Sequence, residues 1–253
     1  MIKKQNLILW IAAFVITFLA GYFHSITDKT YPVSGTIYIN SKPVYYRLEK
    51  IHKGEKNFRI LIRTDLKEIE AKAFWREVGK TSWYSVKFSP DSVFLKAEIP
   101  SVEINRSYEY YCTVIREKKE YRIPQENTIR LEVKGKVPAL INLLNWVFLS
   151  GSLLLSTRTG LEYFKEKDLI KKFSVITVLF LAFLFILSPL VRSYESGAIN
   201  KFIPSLPDLF SLSVSLMFAT WIIGMIFTFY LSERKIPAAA ASVLTIIIYL
   251  TVR

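Results

Sequence analysis

The chain has 253 residues, is 51% hydrophobic and carries a net charge of +13 at neutral pH with a single cysteine. The apolar share and positive mean hydropathy remove it from the ordinary soluble class, and a lone cysteine excludes an internal disulfide. The charge is spread rather than clustered: residues 24–137 hold 22 basic and 15 acidic side chains, interleaved, which reads as a solvated surface that could at most attract anionic headgroups or an acidic partner, not as a nucleic-acid interface.

In chain order the first element is an apolar run from Leu7 to Phe23, preceded by Lys3 and Lys4. Its seventeen residues exceed a usual signal-peptide core, and Phe18 or Leu19 stands where cleavage near Ala20 or Gly21 would want a small residue. A retained anchor over residues 1–24 is expected. Four further runs follow the polar block: Val137 to Thr157, Phe173 to Val191, Leu209 to Leu231 and Ile236 to Val252. At ~1.5 Å per helical residue each approaches or crosses a ~30 Å hydrocarbon layer, where a backbone must satisfy its own hydrogen bonds. The predicted architecture is therefore a membrane α-helical bundle of five transmembrane helices, with a four-helix region over residues 137–253. Lys3, Lys4, Arg158, Lys165, Lys167, Lys171, Lys172, Arg234 and Lys235 fall on one side, against Arg192, Lys201 and Arg253 on the other. That bias places the N-terminus in the cytoplasm and the polar block outside the inner (plasma) membrane.

Between the first two runs, over residues 25–136, the apolar period is two rather than 3.6. Short runs at Ser34 to Ile39, Val44 to Leu48, Asn57 to Ile62, Ile69 to Val78, Ser82 to Phe88, Val93 to Ile99, Tyr108 to Arg116, Glu120 to Ile123 and Thr128 to Val133 are predicted strands. Breaks such as Asn40-Ser41-Lys42 and Ser89-Pro90-Asp91 recur at hairpin spacing, so an all-β extracytoplasmic sandwich is expected. Along Glu70 to Arg76, Ala71, Ala73 and Trp75 form the buried face. Trp83 with Tyr108, Tyr110 and Tyr111 reads as core or cross-strand pairs ahead of an aromatic ligand platform, and Cys112 as a small buried hydrophobe.

Phe94-Leu95-Lys96-Ala97-Glu98-Ile99-Pro100, followed eight residues on by Tyr108-Glu109-Tyr110-Tyr111-Cys112-Thr113-Val114, resembles the strand pairs of immunoglobulin-like and fibronectin type III-like domains of bacterial envelope proteins. Phe74-Trp75-Arg76-Glu77-Val78-Gly79 looks like the preceding strand of the same module, and the match covers roughly Asn57 to Val133. It departs from the pattern before the tyrosine strand, where Asn105 and Arg106 stand in place of a glycine. The resemblance implies binding or spacing rather than catalysis. Lys134-Gly135-Lys136-Val137-Pro138, with Ser156-Thr157-Arg158-Thr159-Gly160-Leu161-Glu162, also resembles a family of bacterial multi-pass membrane proteins that carries no activity to transfer.

Ionisable residues within a bilayer are functional candidates by default. Here Arg158, Glu162, Arg192, Glu195 and Asp208 fall at run ends, where side chains reach headgroups or water. Arg158 and Glu162, four apart, can pair on one helical face, a contact of ~0.3–0.5 kcal/mol when exposed. They read as boundary anchors, with a partner-docking exit as the sharper alternative. Asn142 and Asn145, three apart, are expected to face another helix. Small residues Ser150, Gly151, Ser152, Gly224 and Ala238 to Ala241 permit close helix approach, and Pro189 should kink or end the third run. The segment Arg192 to Asp208, with Phe202, Ile203, Pro204 and Pro207, is expected to fold back on the membrane or the sandwich.

No P-loop, dinucleotide fingerprint, HExxH, CxxC or GxSxG pattern occurs, and His24 and His52 have no evident metal-ligand neighbours. No cofactor or metal is expected, and an enzyme is disfavoured. The expected role is that of a binding or accessory subunit of a cell-envelope complex, its partners the lipid bilayer and an envelope protein, with no nucleic acid. The alternative is a small-molecule transporter or permease component with a site between the second and fourth helices.

Overall fold

The computed structural model describes residues 2–54, 56–66, 69–100, 102–165, 169–199 and 204–252, with Ile2 and Lys3 as backbone only. The residues fall into two units: residues 1–28, 137–194 and 198–253 in one, residues 29–136 and 195–197 in the other. Lys167, Lys201, Phe202, Ile203 and Arg253 lie outside the described residues.

In the helical unit the apolar runs become α1 (Ile2–Thr27), α2 (Ala139–Gly160), α3 (Ile170–Glu195), the single turn α4 (Leu206–Leu209), α5 (Leu212–Tyr230) and α6 (Lys235–Thr251). Among the described residues, four helical stretches are long and apolar enough to cross a membrane: Lys4–Thr27, Ala139–Phe164, Ile170–Glu195 and Leu212–Tyr230. The second includes a 3₁₀ turn, Leu161–Phe164, that continues α2. The fifth run forms a shorter apolar helix of 17 residues, or ~25 Å. Pro189 does not end α3, which continues to Glu195; Ser193 Oγ donates to the Pro189 carbonyl at 2.8 Å.

Small residues set the helix spacing, as their positions predict. A Cβ on Gly224 of α5 would come within 2.7 Å of Ala241 Cβ, and one on Gly160 of α2 within 2.5 Å of Ser242 Cβ. Both neighbours belong to α6, whose buried face is Ala238, Ala241, Ser242 and Thr245. Trp221 of α5 is fully buried in the helical core, and its indole N–H donates to Ser156 Oγ of α2 at 3.0 Å. This satisfies the one polar atom that its large apolar body takes with it.

The second unit is two β-sheets around one core. Its strands are β1 (Val33–Ile39), β2 (Lys42–Leu48), β3 (Ile51–Lys53), β4 (Phe58–Thr64), β5 (Glu70–Glu77), β6 (Tyr84–Lys87), β7 (Ser89–Asp91), β8 (Phe94–Ile99), β9 (Ser107–Arg116), β10 (Lys119–Ile123) and β11 (Ile129–Lys134). One sheet has the order β1-β2-β4-β8-β7 and the other β3-β11-β9-β5-β6, with β10 sharing a β9 edge with β11. All pairings are antiparallel except β3 with β11. The period-two reading finds nine of these segments. It takes His52-Lys53-Gly54, which overlaps β3, and the β7 residues for breaks, because three-residue strands are too short to establish an alternation.

In β4 the pleat is strict: Phe58, Ile60, Ile62 and Thr64 are buried while Arg59, Leu61 and Arg63 are exposed. The inward rows of the two sheets meet in one core, with Ile60, Ile62 and Ile99 on one side and Ala73, Tyr110 and Cys112 on the other. Two hairpins turn on non-glycine pairs with positive φ, Asn40-Ser41 (48° and 64°) and Glu117-Lys118 (50° and 65°), the backbone of two-residue turns that follow strand twist. Asn105 takes φ 64°; asparagine is among the few residues that tolerate that region.

Candidate functional site

The helical unit buries three charged side chains among the described residues: Arg158, Glu162 and Lys165. They form one cluster. The helix runs on past Thr157, so Arg158 and Glu162, expected at an exposed boundary, are both 0% accessible. Arg158 Nη1 lies 2.6 Å from Glu162 Oε1, Lys165 Nζ donates to the same oxygen at 3.2 Å, and the Leu169 N–H donates to Oε2 at 2.9 Å. Lys235 Nζ, at the start of α6, donates to the Lys165 carbonyl at 2.5 Å.

From the far side α1 closes the cluster. Arg158 Nη2 donates to Asn6 Oδ1 at 2.5 Å, and the guanidinium carbon lies 5.4 Å from the Trp10 ring centre and 5.1 Å from that of Phe173. The two rings meet edge to face at 6.0 Å. Arg158 Nη1 is close to the carboxylate yet its N–H bonds are not aimed at it, and Nε has no hydrogen-bond partner. The attraction to Glu162 is thus Coulombic more than hydrogen-bonded, and the aromatic faces stand where further acceptors would be. The chemistry available here is clamping: one arginine ties α1, α2 and α3 together at one end of the helices, and Lys235 adds α6.

Asn6, Trp10, Lys165 and Phe173 escape sequence reading. Arg158, Glu162 and Lys165 nevertheless stand at i, i+4 and i+7, a carboxylate between two cations on one face, which is the available signal. Asn142 is exposed and Asn145 half-buried, and neither amide has a side-chain hydrogen bond to a described residue. Arg192 Nη1 donates to the Asp208 carbonyl at 3.3 Å, while the Asp208 carboxylate accepts from Ser205 Oγ at 2.5 Å, within the first turn of α4. Glu195 belongs with the β unit: its carboxylate lies 3.4 Å from Lys134 Nζ and its carbonyl accepts from the Gly135 N–H at 2.6 Å. The sequence candidates do not converge on one site: Arg158 meets Glu162 and, separately, Arg192 meets the Asp208 backbone, while Asn142, Asn145 and Glu195 join neither pair. His24 stacks on Tyr249 at 4.4 Å, and no group of three metal-ligating side chains occurs among the described residues.

In the β unit the pleat divides the tyrosine group. Tyr108 and Tyr110 are core; the Tyr110 hydroxyl donates to the Glu49 carbonyl at 2.7 Å. Burial, with smaller contributions from Cys112 and Glu49, holds that hydroxyl well above its ordinary range, and burial likewise pushes the Cys112 thiol up. Tyr111 faces outward, stacked on Phe74 at 5.0 Å and edge-on to Trp83 at 5.1 Å, with Arg122 over Tyr111 and Arg76 over Trp83. Two arginines thus cover this aromatic ladder. Trp75 is half-buried at the core rim, stacked on Tyr84.

No protein-family model matches the chain, and no curated protein is similar enough to count as a relative.

Proposed function

We propose that this chain is an integral membrane protein that works by binding, an accessory or assembly subunit of a cell-envelope complex. In this reading the N-terminus is cytoplasmic and the β unit extracytoplasmic. The observation that carries it is the disposition of charge in the helical unit. Among the described residues the buried charged side chains are gathered into one clamp at one end, and the interior beyond it is apolar with scattered Ser and Thr. Transporter sites commonly place ionisable side chains or broken-helix backbone near the middle of the membrane, so this distribution favours a static anchor over a permease.

Five spans follow if α6 crosses as well. Its first residue, Lys235, reaches Lys165 at the clamp end, and Tyr249 near its last stacks on His24. Those are the two ends that α1 reaches with Asn6 and His24, so both helices cover a similar depth. Exposed Tyr163, Phe164 and Tyr230 at the clamp end suit an interfacial aromatic belt, and the lysines gathered there suit the cytoplasmic face.

In this reading the β unit is an immunoglobulin-like or fibronectin type III-like sandwich, and its connectivity supports that. The order β2-β4-β8-β7 opposite β6-β5-β9-β11 follows the ABED and C′CFG arrangement, with β1 as an added edge strand. The Glu103 N–H donates to the Tyr108 hydroxyl, five residues on, at 3.1 Å, in the manner of a tyrosine corner at the start of strand F. Such modules bind or space partners.

Lysine crosslinking with mass spectrometry in native membranes tests the proposal. Lys53, Lys87, Lys96 and Lys118 of the β unit are expected to crosslink reproducibly to one other envelope protein. A β unit that links only to its own chain overturns the proposal.

A further inference from the structure

We propose that the outer face of the β1-β2-β4-β8 sheet is the docking surface for an acidic segment of a partner protein, with Arg63 as its charged anchor. The inference rests on the β unit being a binding module and names which surface of it binds.

Strand register builds the face. Thr36 stands opposite Tyr45, Tyr45 opposite Arg63, and Arg63 opposite Phe94, giving one row across four strands on a single side of the sheet. Directly opposed residues of antiparallel strands share a face. Below that row Leu61 stands opposite Lys96, and the strict alternation of β4 turns Arg59, Leu61 and Arg63 outward together. Tyr45, Leu61 and Phe94 are 48%, 42% and 40% accessible, large apolar surfaces at the middle of a sheet rather than at a frayed edge. They floor a shallow groove of about 610 Å³ whose rim carries Arg47, Arg59 and Arg63.

The carboxylates on this face identify the free cation. Glu49 holds Arg47 at 2.9 Å, and Glu98 holds Arg59 at 3.4 Å and Lys96 at 2.9 Å. Arg63 has neither an ion pair nor a hydrogen bond among the described residues. An exposed guanidinium between two aromatic rings and beside a leucine presents a charge to be met and a floor to be covered. Arginine with tyrosine and phenylalanine is the composition that dominates the energetics of protein interfaces. Charge complementarity selects a carboxylate on the occupant. The apolar floor selects a neighbouring aromatic or aliphatic side chain, since Ser34, Thr36 and the Tyr45 hydroxyl are too few to hydrogen-bond a sugar chain. The occupant is therefore an extended peptide segment in which Asp or Glu adjoins an apolar residue.

The test is selection of random twelve-residue peptides, displayed on phage, against the full-length protein in nanodiscs. Recovered sequences are expected to pair Asp or Glu with an aromatic or aliphatic neighbour. Their affinity should fall roughly tenfold or more in Arg63→Glu, fall less in Arg63→Gln, and stay unchanged in Lys119→Glu, which makes the same charge change on a strand of the other sheet. Far-UV circular dichroism of each variant checks the fold. Recovery of peptides without acidic residues, affinity indifferent to Arg63, or no recovery at all overturns the assignment. If the partner crosslinks of the β unit persist undiminished in Arg63→Glu membranes, this face is wrong while the binding role stands; if the β unit has no partner crosslinks, the binding role itself falls.

Discussion

Arg158 is where a single side chain bears most on stability. A buried pair that loses one member leaves the other charge without compensation, at a cost of about 3–5 kcal/mol, whereas replacing both with apolar or neutral groups of similar size is often close to neutral. Glu162→Gln alone, which strands both Arg158 and Lys165, is therefore expected to lower the thermal midpoint in detergent markedly, and Arg158→Met with Glu162→Gln to recover part of the loss, with Lys165 still lacking its carboxylate. A double variant that is merely the sum of its parts would show that the two side chains do not act as a pair. In the β unit the sign of the pH dependence follows from Tyr110 and Cys112, whose ordinary values are 10.0 and 9.0 and which burial raises. As pH climbs past about 9 the unfolded chain releases protons that the folded one retains, so stability is full at neutral pH and declines through the alkaline range. Thermal unfolding followed at about pH 8, 9.5 and 11 should show that decline, and Tyr110→Phe with Cys112→Ala should reduce it. The same burial predicts that a maleimide leaves Cys112 unlabelled at neutral pH until the protein is denatured.

Among elements, the close approach of α2 to α6 depends on Gly160. Its missing Cβ would sit 2.5 Å from Ser242 Cβ and 2.6 Å from Ser242 Oγ, and that Cβ is fixed to the α6 backbone with no flexible tip to withdraw. Gly160→Ala is expected to destabilise by about 1–3 kcal/mol, while Gly21→Ala, with nothing within 4 Å, should be neutral or slightly stabilising in the same thermal assay. The elements were largely legible, because lipid-length runs and a period of two are strong signals, and the alternation Ala71, Ala73, Trp75 put the correct side of β5 inward. What the chain order hides is the partner across space. Hydropathy fades at Thr157, so Arg158 and Glu162 read as wet, yet Arg158 is met by Asn6 and Trp10 on a helix far away in sequence, and Glu162 by Arg158, Lys165 and Leu169. In the same way, counting residues along β4 marks Arg63 as outward but not as lying between Tyr45 and Phe94, which only register decides.

At the scale of the whole chain, sidedness is the claim with the widest reach. In a Cys112→Ala background, a cysteine at Lys118 is expected to react with a membrane-impermeant maleimide in intact spheroplasts, and one at Lys172 only after lysis; the reverse pattern would invert the topology. The Asn6–Arg158 contact has a further consequence, because the two residues are separated by 152 positions. At a synthesis rate of ~5–20 residues per second, the amide is made roughly eight to thirty seconds before the guanidinium exists. During that interval the first helix stands without the arginine that its amide will meet, and any process that severs or expels it early leaves a later-made guanidinium with no amide to receive it.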